Sequence, residues 1–265
     1  AALSAGSIGV FGSVSGNTCL CEADLVVAVG TRFDRQMTGN PAYFCKNARI
    51  IAVDRDNNEL EKTSGVGIKA ETFCADAKDF LARLSDSFNP ESDMSKGTDE
   101  WIQDLVTLKN KNPILKPSFW DETELNPYVL MERLSANLRD GDVVFTDTGL
   151  STVWVGQSFG FKCGQRWHTQ FSYSSMGYAL PAAIGGAFAI QDIYGSIASS
   201  PKDRDGKCSA DGGRVICICG DGGLQMSIEE LAVLKEYGLN VKVFCVSNGG
   251  YGMIQKTQDD FNNGH

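Results

Sequence analysis

The stretch RVICICGDGGLQMSIEELAVLKEYGLNVKVFCVSN, residues 214–248, holds the pattern from which the fold is read. Residues 214–221 form an apolar, β-branched run without polar alternation, as expected of a strand covered on both faces of a parallel sheet. Cys217 and Cys219 alternate within it and are expected to face one buried side of that strand. Residues 227–237 carry apolar positions at helical spacing, and 241–248 form a second apolar run. Strand, helix and strand in this order predict a right-handed parallel crossover.

Three more runs outside this stretch read as strands: DLVVAVG at 24–30, RIIAVD at 49–54 and DVVFTD at 142–147. Amphipathic segments at 77–84 and 126–138 alternate with them. The expected fold is α/β, built as two doubly wound parallel-sheet units. A length of 265 residues allows one large domain or two ordinary ones. The polar, turn-rich SDSFNPESDMSKGTDE at 85–100, a short amphipathic piece at 101–109, then Pro113 and Pro117, mark a boundary. We therefore read residues 1–85 as one unit, 86–120 as a linker and 121–265 as a second unit. The polar stretch 191–213 is longer than most helix-to-strand connections and reads as a surface insertion.

Composition narrows the function. With 24 Lys+Arg against 33 Asp+Glu, the net charge is −9, which argues against nucleic acid or an anionic membrane as partner. Hydrophobic residues at 42% supply a globular core, so a disordered or disulfide-scaffold protein is excluded. The nine cysteines include no CxxC pair, which leaves a zinc ribbon or thioredoxin-type site without support and suits a reducing, cytoplasmic setting. The opening Ala1-Ala2-Leu3 has no basic and apolar leader pattern. Ser172, Ser174, Ser175 and Pro181 make 171–190 a poor membrane span and a better buried loop and helix.

The chemistry concentrates where the strand 214–221 ends. Gly220-Asp221-Gly222-Gly223 leads almost at once into a helix, a turn that offers backbone N–H groups to phosphate oxygens. Asp221 sets a hard carboxylate beside them, where Mg²⁺ or Ca²⁺ bridges. The next strand ends in Ser247-Asn248-Gly249-Gly250-Tyr251-Gly252. Parallel strands end on the same carboxyl edge, where open α/β sheets bind ligands, so Asp221 and Asn248 are expected to converge on one cation.

These residues resemble the cofactor-binding signature of thiamine diphosphate enzymes, nearest the acetolactate synthase branch. SSMGYALPAAIGGAFA at 174–189, VAVGTRFDRQMTGN at 27–40 and ELNPYVLMERLSANLRDGDVVFTDTG at 124–149 resemble further segments of that branch. The resemblance implies that 1–85 is part of a central domain and 121–265 the domain that holds the cofactor's diphosphate and Mg²⁺. It makes Asp221, Asn248 and the Gly250 carbonyl metal ligands. It places Gly220, Gly222, Gly223, Asp147, Thr148, Gly149 and Met253 around the cofactor. Met176 would force the cofactor into its bent shape, and the Ser174 carbonyl would hold the aminopyrimidine. The implied reaction is decarboxylation or carboligation of a 2-oxo acid such as pyruvate, in a homodimer or homotetramer.

Departures and absences shape the expectation. Ser247-Asn248 stands where the family has Asn-Asn, keeping the metal-binding second Asn. Thr257 stands where synthases carry a Trp that selects the acceptor, which points toward a relative with another substrate. The Gly30-Thr31-Arg32-Phe33 match leaves FAD open as a second cofactor, while Phe11, standing where the branch carries a His near its flavin, argues against it. No residue matches the family's activating glutamate, and both ends of the chain fall within family domains, so a fragment of a longer enzyme is expected. Two rivals stay open: a lyase or hydrolase cleaving a C–C bond in a diketone or sugar-like substrate, and a non-catalytic nucleotide- or flavin-binding module. Elsewhere, His168 reads as structural, Arg32 and Asp34 as flavin contacts or a solvated ion pair, and Asp54 as the cap of a strand-end turn. Cys19 and Cys21 lack the partners a metal site needs.

Overall fold

A computed structural model describes residues 3–87, 96–194, 213–262 and 264. The chain divides into two compact units, Ala1–Ile114 and Leu115–His265. The division falls inside the polar stretch 86–120.

In the first unit, β1 (Leu25–Val29), β2 (Arg49–Asp54) and β3 (Glu71–Cys74) form a parallel sheet in the order β1-β2-β3. Val26, Ala28, Ile50 and Ala52 turn one face onto Phe33, Cys45, Leu60 and Ile68. On the other face the helix Ala77–Ser87 packs against β2, while Leu25 and Val27 of β1 stay exposed. β1 is thus less covered than its apolar run suggests. The stretch 86–120 holds a helix, Lys96–Lys111, packed against the helix Val14–Glu22. Trp101, Leu105 and Leu108 carry its helical spacing. β3 was not anticipated: it is a short, exposed edge strand with no need of an apolar run. Arg49 makes a two-pronged bond to Glu71 across this edge, at 2.7 and 2.8 Å, which holds the Glu71 carboxyl below its ordinary range.

In the second unit, β4 (Val143–Thr146), β5 (Arg166–His168), β6 (Val215–Gly220) and β7 (Val241–Val246) form a parallel sheet in the order β5-β4-β6-β7. Val215, Cys217 and Cys219 face Ala183, Ala187 and Ile190 of the helix Ala179–Tyr194. Ile216 and Ile218 face Met131, Leu134 and Val155 on the helices Pro127–Asn137 and Leu150–Ser158. Helices thus cover both faces, the doubly wound arrangement. Each fully buried aliphatic side chain contributes roughly 1.5–3 kcal/mol, and β6 has five buried residues in a row, so it anchors the unit. Gly186 lets the long helix approach closely, since a Cβ there would lie 2.5 Å from the Phe145 ring.

Local signals set the helix limits. Asn126 caps the helix Pro127–Asn137 by accepting from the Tyr128 N–H, and Pro127 takes the first helical position. The segment expected as one helix at 227–237 is instead a 3-10 turn, Ile228–Glu230, followed by the helix Leu231–Glu236. Ser227, with φ −140°, interrupts the path from the preceding short helix Asp221–Gln225. Residues 195–212, most of the expected insertion, lie outside the described residues.

Cys19, Cys21, Cys45, Cys74, Cys217, Cys219 and Cys245 are free thiols, whereas Cys163 is disulfide-bonded, a departure from the expected unpaired set. A hydrogen bond with Cys217, together with burial, pushes the Cys219 thiol far up, so Cys219 stays a neutral core residue. No helix among the described residues is long and apolar enough to cross a membrane.

Candidate functional site

β4, β6 and β7 run parallel, so the loops after Thr146, Gly220 and Val246 meet at one edge. Gly220 and Val246 are register partners, which sets Asp221 beside Ser247. Asp221 Oδ2 accepts from the Ser247 hydroxyl at 3.1 Å and from the Gly249 N–H at 2.9 Å, and Oδ1 accepts from the Gly222 N–H at 2.9 Å. Slight burial pushes this carboxyl up, but the three hydrogen bonds more than offset it, and its pKa falls below the ordinary value. It is an anion at neutral pH.

The Asn248 amide lies beside the same carboxylate. With its nitrogen inward, it donates to the Gly250 carbonyl at 2.7 Å and to Asp221 Oδ1 at 3.3 Å. With its oxygen inward, three oxygens from Asp221, Asn248 and Gly250 converge. Three acceptors at such distances repel, and a hard cation between them reverses the sign of the interaction. Asp221, Asn248 and Gly250 therefore come together as the sequence suggests, and their chemistry fits a divalent ion.

The glycines around this cluster leave room for larger neighbours. A Cβ on Gly222 would lie 2.6 Å from the Tyr251 ring and 3.4 Å from the Met176 methyl carbon, so Met176, Gly222 and Tyr251 form one cluster. A Cβ on Gly223 would meet the Asp147 carboxyl group at 2.9–3.2 Å. Gly149 has φ +88°, opens the helix Leu150–Ser158 and lies near Met253. Ser174 has φ +50°, and its N–H donates to the Gln170 carbonyl, shaping the exposed turn before Met176.

Asp147 is 1% exposed and takes a different part from Asp221. Its Oδ1 accepts from the N–H groups of Thr148 at 2.9 Å and Gly177 at 3.1 Å, and its Oδ2 from Ala179 at 3.1 Å. Burial pushes this carboxyl up, and those hydrogen bonds only partly counter it. Sequence reasoning did not single out Ser247 as a partner of Asp221, nor Tyr251 or Gly177. The register of β6 and β7 carries the signal for Ser247. Gly177, at φ +84°, sits in the Met-Gly pair of the segment 174–189.

The remaining candidates fill internal roles. Asp34 caps the helix Arg35–Thr38 by accepting from the Met37 N–H, and Arg32 approaches Glu59 at 3.9 Å. Asp54 accepts from the Asp56 N–H, capping the turn after β2. His168 stacks on Phe145 with ring centroids 5.0 Å apart. Thr257 donates its hydroxyl to the Met253 carbonyl at 2.9 Å. Among the described residues no three His, Cys, Asp or Glu side chains cluster as a metal site, and Cys19 and Cys21 are free.

Two parallel sheets with a glycine-rich, acid-and-amide edge on the second match a known family. Residues 147–265 match the thiamine pyrophosphate enzyme C-terminal TPP binding domain, and 1–84 match the thiamine pyrophosphate enzyme central domain. The chain belongs to the thiamine pyrophosphate enzyme family. Within it, the chain is similar to acetolactate synthase large subunits. It is 32% identical over 259 residues to the isozyme 1 large subunit of Escherichia coli (strain K12), covering 98% of this chain and 41% of that protein. It is 30% identical over 260 residues to the large subunit of Lactococcus lactis subsp. lactis (strain IL1403), covering 98% and 40%. To the chloroplastic acetolactate synthase 1 of Nicotiana tabacum it is 28% identical, covering 98% and 35%. The chain spans about two fifths of the length of the first two of these relatives.

Proposed function

We propose that the whole protein is a thiamine diphosphate- and Mg²⁺-dependent decarboxylase or carboligase acting on a 2-oxo acid such as pyruvate. The observation that carries this reading is the convergence of Asp221, the Asn248 amide and the Gly250 carbonyl beside the Gly222-Gly223 turn. These three groups hold Mg²⁺, and the Gly220–Gly223 turn faces the diphosphate with backbone N–H groups. Met176 supports the bend of the cofactor, the Ser174 carbonyl accepts from its aminopyrimidine, and Thr148, Gly149 and Met253 close the same edge. Bound thiamine diphosphate supplies the electron sink for breaking the bond beside a 2-oxo carbonyl. The chain's own residues bind, orient and neutralise. An activating glutamate has no counterpart among these residues; on this reading it belongs to a separate pyrimidine-binding domain of the whole protein and is contributed across the interface of a homodimer or homotetramer.

Replacing Asp221 by Ala removes the one full negative charge of the cluster, and we expect Mg²⁺-dependent thiamine diphosphate binding to disappear in calorimetry. Unchanged binding would overturn the reading. A second reading, cleavage of a C–C bond in a diketone or sugar-like substrate, is favoured by Thr257, whose hydroxyl bonds its own helix and offers no aromatic wall to an acceptor. Full-length protein mixed with pyruvate should release CO₂ and form acetolactate. Silence there, with turnover of a diketone, selects the second reading.

A further inference from the structure

Asp147 is a buried ionisable side chain held by backbone N–H groups. It is 1% exposed, and both carboxylate oxygens point at backbone N–H groups of its own chain. Two of those donors, Gly177 and Ala179, lie 30 and 32 positions away, at the start of the sixteen-residue helix Ala179–Tyr194. The three residues before that helix, Met176, Gly177 and Tyr178, include no Ser, Thr, Asp or Asn to serve as a local cap. The cap comes instead from the end of β4, as a charged acceptor beside the positive end of the helix. The same carboxylate packs against Gly223, where any Cβ would meet its atoms at 2.9–3.2 Å. Asp147 thus touches both loops that flank the cluster of Met176, Gly222 and Tyr251.

We propose that Asp147 is a positioning residue: by bonding the Gly177 and Ala179 N–H groups while packing on Gly223, it fixes the Ser174–Met176 turn relative to Gly222 and Gly223, and so preforms the seat of the cofactor. This rests on the thiamine diphosphate reading above. A cap that served only helix stability would leave that seat unchanged once the protein is folded. A positioning residue alters it in a protein that remains folded.

The test uses the full-length protein with ¹³C-methyl-labelled methionine, Mg²⁺ and thiamine diphosphate. Asp147→Asn keeps size but turns one acceptor into a donor facing an N–H. We expect at least tenfold weaker thiamine diphosphate binding by calorimetry, a shifted Met176 methyl resonance, and a far-ultraviolet spectrum like that of the unsubstituted chain. A shifted melting temperature with unchanged affinity and an unmoved Met176 resonance would reduce Asp147 to a plain cap and overturn the proposal. Hydrogen exchange on the unsubstituted chain gives a second readout that does not depend on the variant folding. Slow exchange at Gly177 and Ala179 is expected, and exchange as fast as in open loops overturns the proposal. If the unsubstituted chain binds and Asp221→Ala does not, while Asp147→Asn binds normally, the cofactor reading stands and only the positioning role fails. If the unsubstituted chain shows no binding, the cofactor reading fails, and this proposal with it.

Discussion

Two aspartates at one sheet edge are pushed in opposite directions by their surroundings. Asp221 is depressed because hydrogen bonds from Gly222, Ser247 and Gly249 outweigh its slight burial, while Asp147 is raised because burial outweighs its own hydrogen bonds. Carboxyl NMR should therefore find the Asp221 midpoint below the ordinary value of about 3.9 and the Asp147 midpoint above it. The linkage signs differ accordingly. The stabilising contribution of Asp221 is present above its unfolded pKa and is lost as pH falls through its lower folded pKa. Asp147 keeps its proton longer in the folded state, so its contribution weakens as pH rises from its unfolded pKa toward the higher folded one. Ser247→Ala removes one donor and should move the Asp221 midpoint upward; an unmoved midpoint would mean that the hydroxyl contributes nothing to the depression. Much of this edge was legible in the sequence, because Gly-Asp-Gly-Gly and a strand-end Asn are side-chain signals. The part played by Asp147 was not, because the groups it binds, the Gly177 and Ala179 backbone amides, leave no mark in residue type.

At the scale of elements, long apolar runs became β1, β2, β4, β6 and β7, with ends moved by a residue or two. The edge strands β3 and β5 escaped notice because four exposed residues, and three with Trp167 alone half-buried, are too short to present a periodic pattern. The split of 227–237 was hidden for another reason: helical spacing continues through Ser227 although its backbone does not. The opposite ends of β4 and β6 are joined by Arg214 and Asp142, with Nη2 to Oδ2 at 2.6 Å and Asp142 only 1% exposed. Truncating Arg214 to Ala leaves that carboxylate buried without its cation. The loss should be on the order of 3 kcal/mol, the low end for breaking a buried pair because Arg214 is 30% exposed. Urea unfolding monitored by Trp fluorescence measures it, and a loss within about 0.5 kcal/mol would show that water replaces the guanidinium fully.

The 265-residue chain carries a net charge of −9, and on the proposed reading thiamine diphosphate brings further negative charge. Long-range electrostatics therefore oppose the proposed ligand, and affinity has to come from a local cation and oriented N–H groups. Chelation by EDTA should abolish thiamine diphosphate binding in calorimetry, and excess Mg²⁺ should restore it; binding that survives chelation would place the diphosphate on N–H groups alone. The whole chain also sets a boundary on what its sequence can disclose. Its two sheets and its candidate ligand edge are encoded within 265 residues, whereas the relatives it resembles are more than twice as long.

Gly252 has a consequence for the space around the candidate ion. A Cβ at that position would lie 2.5 Å from the Asn248 amide group, so the glycine lets that side chain sit close to the turn. Nitrogen inward, the amide gains hydrogen bonds to Gly250 and Asp221; oxygen inward, it gives them up. On the proposed reading, a side chain at position 252 would push the Asn248 amide away from the ion, so Gly252→Ala should weaken Mg²⁺-dependent binding by taking up space while every ligand residue stays in place.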